Sequence, residues 1–293
     1  MEADSTHMNP VRKPEVFTGA LALVVTAFLW STAGLLIKLI PWHPFAIAGG
    51  RSLIASVVIL LILKRPVLHL SFPQVAAAIA NSMTMLLFVA ANKYTTSANA
   101  ILLQYLCPVT TALLGAVLLK EKVRWQHITA IVMVAAGMSI LFMDRLGGGL
   151  LLGNMLALAS ALSFSLFIIF MRMQKDGSPL ESILLSHWLT AVIGIGISCV
   201  LPLPVISMVS ISAILALGIF QVGLAAAFFS YGIKRISAIN ANLIAVIEPV
   251  FNPLWVFIAV GEKPSLNTVI GGALIIAAVT GASVISARRR QRN

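Results

Sequence analysis

Residues 99–122, NAILLQYLCPVTTALLGAVLLKEK, and residues 240–263, NANLIAVIEPVFNPLWVFIAVGEK, repeat one pattern at an offset of 141 positions. Each stretch places a proline in an apolar run and a Glu-Lys pair about a dozen residues later. The coincident residues are Lys93 with Lys234, Asn99-Ala100 with Asn240-Ala241, Leu102 with Leu243, Pro108 with Pro249, Leu113 with Leu254, and Glu121-Lys122 with Glu262-Lys263. Chance hydropathy does not easily align prolines and Glu-Lys pairs at one offset, so the chain contains an internal repeat.

A weaker match at an offset of 134 extends the repeat towards the amino terminus. It pairs Ala27 with Ala161, Trp30 with Phe164, Ser31 with Ser165, and Lys38 with Arg172. We therefore divide the chain into two related halves, residues 16–145 and 146–286, followed by a basic tail at residues 287–293. Residues 1–15 are predicted to be disordered, and the first eight, MEADSTHM, resemble the remnant of an expression tag.

The composition is that of a membrane protein. Of the 293 residues, 59% are hydrophobic and only 10% are charged, and the mean hydropathy is +1.01. Apolar runs of about 20 residues, the length that crosses a bilayer as a helix, recur along the whole chain. They are placed at residues 18–38, 45–63, 73–92, 97–118, 126–143, 150–171, 181–201, 210–232, 238–259 and 267–286. The sequence thus predicts an all-α integral membrane protein with ten transmembrane helices.

The basic residues predict the orientation of these spans. When the loops are assigned alternately to two sides, fifteen Lys and Arg residues fall on the side of the termini and four on the other. By the positive-inside rule, both termini are cytoplasmic and the number of spans is even. Five helices per half is an odd number, so the halves enter the membrane in opposite orientations, as two inverted-topology five-helix repeats.

The net charge of +11 does not indicate a nucleic-acid binder, because the basic residues lie in short clusters between apolar runs. The expected partners are the lipid bilayer and a small-molecule substrate such as an amino acid, and the oligomeric state is left open. Cys107 and Cys199 each lie in an apolar run without a metal-ligand spacing, so both are interpreted as packing residues. No metal site and no cofactor is predicted.

Inverted repeats favour a transporter, because two copies of one unit can exchange conformations and open a central site to each side in turn. Such a site is expected near the midplane, lined by side chains that are costly in hydrocarbon and by aromatic residues. The candidates for the substrate cavity are Trp30, Thr84, Phe88, Gln104, Tyr105, Phe164, His187, Trp188, Gln221, Tyr231, Asn242, Glu248 and Asn252.

Glu248 is the one acidic residue of the nine that falls near the middle of a predicted span. A buried carboxyl group of this kind either takes up protons or pairs with a substrate amine. The structural alternative is that it stays protonated and satisfies backbone carbonyls freed by Pro249 and Pro253. The sequence leaves both interpretations open.

Other polar or helix-breaking residues also have two interpretations. Pro108, Pro249 and Pro253 are candidate hinges, although proline is common in membrane helices. His187 is either a packing residue or a proton relay. Arg51 lies about two turns inside the second span, where it either extends towards the outer surface or contributes to the cavity.

The remaining function classes lack their sequence signatures. No phosphate-binding loop, HExxH motif, Gly-x-Ser-x-Gly elbow or pair of membrane aspartates occurs, so neither an ATP-driven pump nor an enzyme is indicated. Transport is therefore expected to be facilitated or gradient-driven. A channel or receptor would need a continuous polar pathway or a large soluble domain, and the loops are too short for such a domain.

The doubled pattern resembles that of EamA-type proteins of the drug/metabolite transporter superfamily. The resemblance rests on Pro108 with Glu121-Lys122, on Glu248-Pro249 with Gly261-Glu262-Lys263, and on Trp30. It implies ten helices, a central cavity between inverted halves, no bound cofactor, and location in the bacterial inner membrane. Within the family, the sequence is similar to the YddG-like branch, and this similarity implies export of aromatic and other amino acids. Efflux of drugs or other cationic compounds is the alternative.

The chain departs from that pattern in its first half. Cys107 precedes Pro108 where Glu248 precedes Pro249, and Leu119-Lys120 stands where Leu-Gly is expected before Glu121. A mechanism that needs symmetric acidic groups is therefore not expected here.

Overall fold

A computed structural model describes residues 13–95, 97–143, 151–174, 179–201, 206–251, 255, 258 and 265–290. Within these ranges all regular structure is helical. The α-helices are α1 (Lys13–Trp30), α2 (Ala33–Lys38), α3 (Pro44–Leu63), α4 (Phe72–Tyr94), α5 (Ser97–Gln104), α6 (Cys107–Leu118), α7 (Trp125–Phe142), α8 (Leu151–Met173), α9 (Pro179–Ser198), α10 (Met208–Ala216), α11 (Ala225–Ile233), α12 (Ala238–Ala245) and α13 (Leu266–Arg290). A π-helix, Leu217–Leu224, joins α10 to α11.

Seven helical stretches of the described residues are long and apolar enough to cross a membrane. They are Glu15–Ile37, Pro44–Leu63, Phe72–Ala91, Ala100–Leu118, Leu151–Met173, Pro179–Ser198 and Met208–Ile233. The other three predicted spans contain shorter apolar helices, Trp125–Leu141, Ala238–Phe251 and Val269–Ala282. The all-helical, multi-pass architecture is confirmed, and the count of ten spans stays a prediction.

Large apolar side chains cover the outside of the bundle. Leu61, Val117 and Leu151 are 73%, 76% and 77% exposed, and each lies within a membrane-capable helix. In water such a surface would drive aggregation, whereas the hydrocarbon of a bilayer solvates it. These residues therefore face lipid, whereas polar side chains of the spans such as Asn81, Gln221 and Asn242 are buried inside the bundle.

Close helix packing depends on glycine at one crossing in particular. A Cβ atom on Gly194 of α9 would lie 2.8 Å from the backbone nitrogen of Gly49 in α3 and 2.7 Å from the carbonyl oxygen of Phe45. Only glycine therefore allows the backbones of α3 and α9 to approach this closely. The crossing fixes α3, which carries Arg51 and Ser52, against α9, which carries His187.

In the part of the chain that the structure describes, three predicted spans are interrupted. The first breaks at Ser31 and Thr32 between α1 and α2, and the fourth breaks at Tyr105 and Leu106 between α5 and α6. The ninth breaks after α12, at residues 246–247, before a helical turn at 248–251. The last two breaks are 141 positions apart, which is the offset of the sequence repeat.

Proline explains where the helix resumes after a break. Pro108 occupies the first turn of α6, where its missing N–H leaves no internal hydrogen bond unmade. It therefore marks the start of a new helix, rather than bending a continuous one. Pro249 stands at the equivalent place after the break in the ninth span, and Pro253 lies outside the described residues.

Candidate functional site

The phenol of Tyr105 and the carboxyl group of Glu248 meet between the two repeat-related breaks. The Tyr105 hydroxyl donates a hydrogen bond of 2.7 Å to Oε2 of Glu248. Tyr105 lies in the break between α5 and α6, and Glu248 begins the helical turn that follows the break after α12. Interrupted membrane helices expose backbone polar groups and are a common way of building a transport site. Both side chains are half-buried, so neither is sealed in the core.

A second contact joins the same two spans beside this pair. The side-chain amide of Asn242 donates to the Thr111 hydroxyl at 2.6 Å, and the Cys107 thiol donates to the Asn242 carbonyl oxygen at 2.9 Å. All three residues are buried. Asn242, a predicted cavity residue, therefore links α12 to α6. Cys107 packs in the interior, as its apolar surroundings predicted, whereas Cys199 is exposed and the same interpretation is wrong for it.

The break in the first span also contacts the segment that follows Glu248. The indole N–H of Trp255 donates to the Ser31 hydroxyl at 2.7 Å. The ring of Phe28 lies 5.3 Å from that of Phe251 and 5.1 Å from that of Trp255. The first span thus contacts Phe251 and Trp255, and the fourth span contacts Glu248. Asn252, another predicted cavity residue, lies outside the described residues.

Trp30 and Phe164, which the weaker repeat match pairs, are in direct contact. Their ring centroids are 5.9 Å apart, and Trp30 also lies 5.5 Å from Phe229. Phe229 stacks on Phe167 at 5.5 Å. Trp188 packs half-buried against the same core. The sequence did not single out Phe167 and Phe229, because a phenylalanine in an apolar span gives no signal that separates it from its lipid-facing neighbours.

Three of the predicted cavity residues hold α4, α5 and α8 together. Gln104 donates to the Ser160 hydroxyl at 3.0 Å, and Ser160 donates to the carbonyl oxygen of Thr84 at 3.2 Å. The Thr84 hydroxyl donates to Ala80 in its own helix at 2.8 Å. Phe88 packs against a small-residue cluster that includes Ala157. Interhelical hydrogen bonds of this kind stabilise membrane bundles, so these residues have an evident structural role.

Gln221 contacts Arg51, and His187 contacts the neighbouring residue Ser52. One terminal guanidinium nitrogen of Arg51 lies 3.5 Å from the Gln221 side-chain oxygen, and the other lies 3.2 Å from the sulfur of Met85. His187 Nδ1 lies 3.3 Å from the hydroxyl of Ser52, the residue after Arg51. Arg51 is only 4% exposed, so its side chain is turned into the bundle and does not extend to the surface.

Tyr231 lies apart from these residues. It is 42% exposed, and its hydroxyl donates to Thr18 near the start of α1 at 3.2 Å. The guanidinium of Arg235 covers its ring at 3.4 Å from the centroid. Tyr231 thus contributes to a polar contact at one end of α1 and α11, and we do not include it in the site.

A groove of about 190 Å³ lies where the break between α5 and α6 faces α7. Tyr105 and Pro108 line it together with apolar residues such as Leu102, Ile131 and Met138. The groove therefore offers an apolar surface beside Tyr105, whose hydroxyl contacts Glu248. Among the described residues, no group of three His, Cys, Asp or Glu side chains is placed to hold a metal ion.

Comparison with known proteins gives consistent matches over the whole fold. The profile of the EamA-like transporter family matches residues 17–143 and again residues 151–284. An uncharacterized transporter of Archaeoglobus fulgidus is 27% identical over 266 residues, covering 89% of this chain and 94% of that protein. An uncharacterized transporter of Clostridium kluyveri is 28% identical over 210 residues, covering 68% of this chain and 67% of that protein. A crystal structure with 24% identity superposes with a TM-score of 0.81 over 93% of this chain and 98% of that chain, which shows a shared fold.

Proposed function

The chain belongs to the EamA-like transporter family, and on that premise we propose that it exports amino acids or closely related metabolites across the cell inner membrane. It does so by alternating access, as a facilitator or with an ion gradient. The proposed arrangement is the one the sequence predicts, with ten spans, two inverted halves and cytoplasmic termini. The proposed central site lies around Tyr105 and Glu248.

The Tyr105–Glu248 contact is the observation that carries this proposal. A carboxylate in the middle of a membrane protein attracts the ammonium group that all amino acids share. The Tyr105 hydroxyl donates a hydrogen bond to one carboxylate oxygen of Glu248, and an ammonium group of the substrate replaces it as the donor. The apolar groove beside Tyr105 provides a surface for a hydrophobic side chain.

The helix breaks on both sides of this contact support the proposal that the spans around the site move during transport. At these breaks the backbone makes bonds to the third residue back, from the Leu106 N–H to the Leu103 carbonyl at 3.2 Å and from the Ile247 N–H to the Ile244 carbonyl at 3.0 Å. The helix is therefore irregular at residues 105–106 and 246–247, and these are the places where the fourth and ninth spans can most easily change direction. A substrate that bridges the two spans therefore couples its own binding to their relative movement.

The test is transport in proteoliposomes that contain the purified protein. Each of the twenty labelled amino acids is measured by counterflow at two pH values, with protein-free liposomes as the control. Saturable, substrate-dependent flux for at least one of them is expected. The absence of flux for all twenty would reject the proposal, and flux that never saturates would indicate a channel.

The alternative function is efflux of cationic drugs, and Glu248 favours it as well. A carboxylate inside the membrane-spanning part binds any amine or quaternary cation that fits, whether or not the molecule carries a carboxyl group. A panel of cationic dyes in the same vesicles separates the two functions. Dye flux without amino-acid flux would replace the first proposal by the second.

A further inference from the structure

Arg51 is a buried cation inside the membrane-spanning part of the protein. It lies seven residues after the start of α3 at Pro44, which is about 10 Å along the helix axis. The side chain is 4% exposed. A charged group at such a place is expensive unless an anion or several strong acceptors surround it.

The acceptors around Arg51 are few and weak. The Gln221 oxygen lies at 3.5 Å, which is long for a hydrogen bond, and the Met85 sulfur is a poor acceptor. The Nε atom of Arg51 is buried without a hydrogen-bond partner. Within the described part of the chain, no acidic side chain forms an ion pair with Arg51. The guanidinium therefore presents donors that the described residues leave unused.

The helix opposite Arg51 is irregular at the same level. Gln221 lies in the π-helix Leu217–Leu224, and a Cβ atom on Gly218 of that segment would come within 3.0 Å of the Arg51 carbonyl oxygen. π-Helical turns are less stable than α-helix and occur frequently at functional sites. The irregular turn brings Gln221 to the guanidinium, and the next residue of α3, Ser52, contacts His187 of α9.

We propose that Arg51, supported by Gln221, is an anion-binding site that takes the carboxylate of the transported molecule. A carboxylate accepts two parallel hydrogen bonds from a guanidinium, including one from the unused Nε, and supplies the missing negative charge. The inference rests on the proposed function in taking the anion to be the substrate's. In the proposed topology α3 and α5 both begin on the outer side. Arg51 is seven residues after the start of α3, and Tyr105 is eight residues after the start of α5, in the break that follows it, so the two lie at similar depths.

The inference is tested by binding, independently of amino-acid flux. Protein in nanodiscs of neutral phosphatidylcholine is titrated with 3-phenylpropionate and with 3-phenylpropanamide, which has the same shape without the charge. Wild-type protein is expected to bind the acid and to bind the amide much more weakly. Arg51→Gln is expected to weaken binding of the acid at least about 30-fold, to the level of the amide. Arg235→Gln, which removes a guanidinium on Tyr231, serves as the control and keeps wild-type affinity.

If Arg51→Gln does not fold, a second variant, Arg51→Lys, provides the test. Arg51→Lys retains the charge but not the planar pair of donors, and about tenfold weaker binding of the acid is expected. Wild-type affinity in either folded variant, or a wild-type protein that does not prefer the acid to the amide, overturns the site. Phosphatidylglycerol in the nanodisc could also block binding of the acid to wild-type protein but not to the Arg51 variants. In that case the anion is a lipid headgroup and the substrate assignment is wrong. Binding without amino-acid flux would reject the proposed function and leave the anion site standing.

Discussion

Oε1 of Glu121 accepts a hydrogen bond of 3.2 Å from the backbone N–H of Ala238, the first residue of α12. Nε of Arg172, at the end of α8, lies 3.7 Å from the same oxygen. Glu121 therefore joins the end of α6 to two helices of the other family match, and its negative charge lies at the positive end of α12. Glu121, the first residue of the Glu-Lys motif, thus has a structural role in holding the two matched segments together.

Replacing Glu121 should weaken this contact. Glu121→Ala removes the acceptor of the backbone N–H of the buried residue Ala238, and we expect a loss of about 1–3 kcal/mol in stability. Thermal unfolding of the detergent-solubilised protein measures the change. Glu15→Ala, at an exposed position in the first turn of α1, is the matched control. Equal melting temperatures for Glu121→Ala and wild type would mean that the contact does not contribute to stability.

Glu248→Gln should separate folding from transport. Glutamine keeps an acceptor for the Tyr105 hydroxyl, so the melting temperature is expected to stay within a few degrees of wild type. Loss of the charge should reduce amino-acid counterflow at least about tenfold, because the ammonium group loses its partner. Tyr105→Phe keeps the carboxylate and should have a smaller effect. If wild-type flux depends on pH and Glu248→Gln keeps the same dependence, this carboxyl group does not carry the coupled proton.

The inverted orientation of the two halves predicts opposite accessibility at repeat-related positions. Lys93→Cys and Lys234→Cys, each in a Cys199→Ser background, differ by the offset of 141 residues. A membrane-impermeant thiol reagent added to intact cells should label position 93 and not position 234. In inside-out vesicles the pattern should reverse. Labelling of both positions from one side would contradict the inverted topology.

Pro108→Ala should damage the site without unfolding the protein. Alanine restores an N–H and favours a continuous helix across Tyr105 and Leu106, which would turn the Tyr105 hydroxyl away from Glu248. Unchanged or higher thermal stability together with reduced transport is expected. Pro44→Ala, at the start of α3 where no break occurs, is the control. Wild-type transport in Pro108→Ala would show that proline does not maintain the break.

Two glycines of α9 allow a direct test of the crossing with α3. A methyl group at Gly194 would lie 2.8 Å from the Gly49 nitrogen, whereas one at Gly196 would meet nothing within 4 Å. We expect Gly194→Ala to reduce stability by about 1–3 kcal/mol and Gly196→Ala to be nearly neutral. Thermal unfolding of the two variants, measured in parallel, compares their losses of stability. A similar loss in both would point to helix propensity or lipid contacts, and away from backbone proximity.

The sequence by itself determined the class of the protein, most span positions and the internal repeat. These follow from apolar runs and from matching residues at a fixed offset, both of which are properties of the chain read in order. The same repeat drew attention to Glu248 and to the pair Trp30 and Phe164, and the structure places that pair in contact. It also placed Pro108 and Pro249 at equivalent positions, where two helices resume after a break.

Only the tertiary structure decided which of these residues meet. Tyr105 and Glu248 are 143 positions apart, and Arg51 and Gln221 are 170 apart, so neither contact leaves a signal in local sequence. Tyr231 looks as suitable for a cavity as Tyr105 when hydropathy is considered, yet it lies on the surface under Arg235. Burial of Arg51 likewise depends on the rotation of α3 against the π-helix. Hydropathy records how apolar a segment is, while helix rotation and packing determine which side chain faces lipid, solvent or another helix.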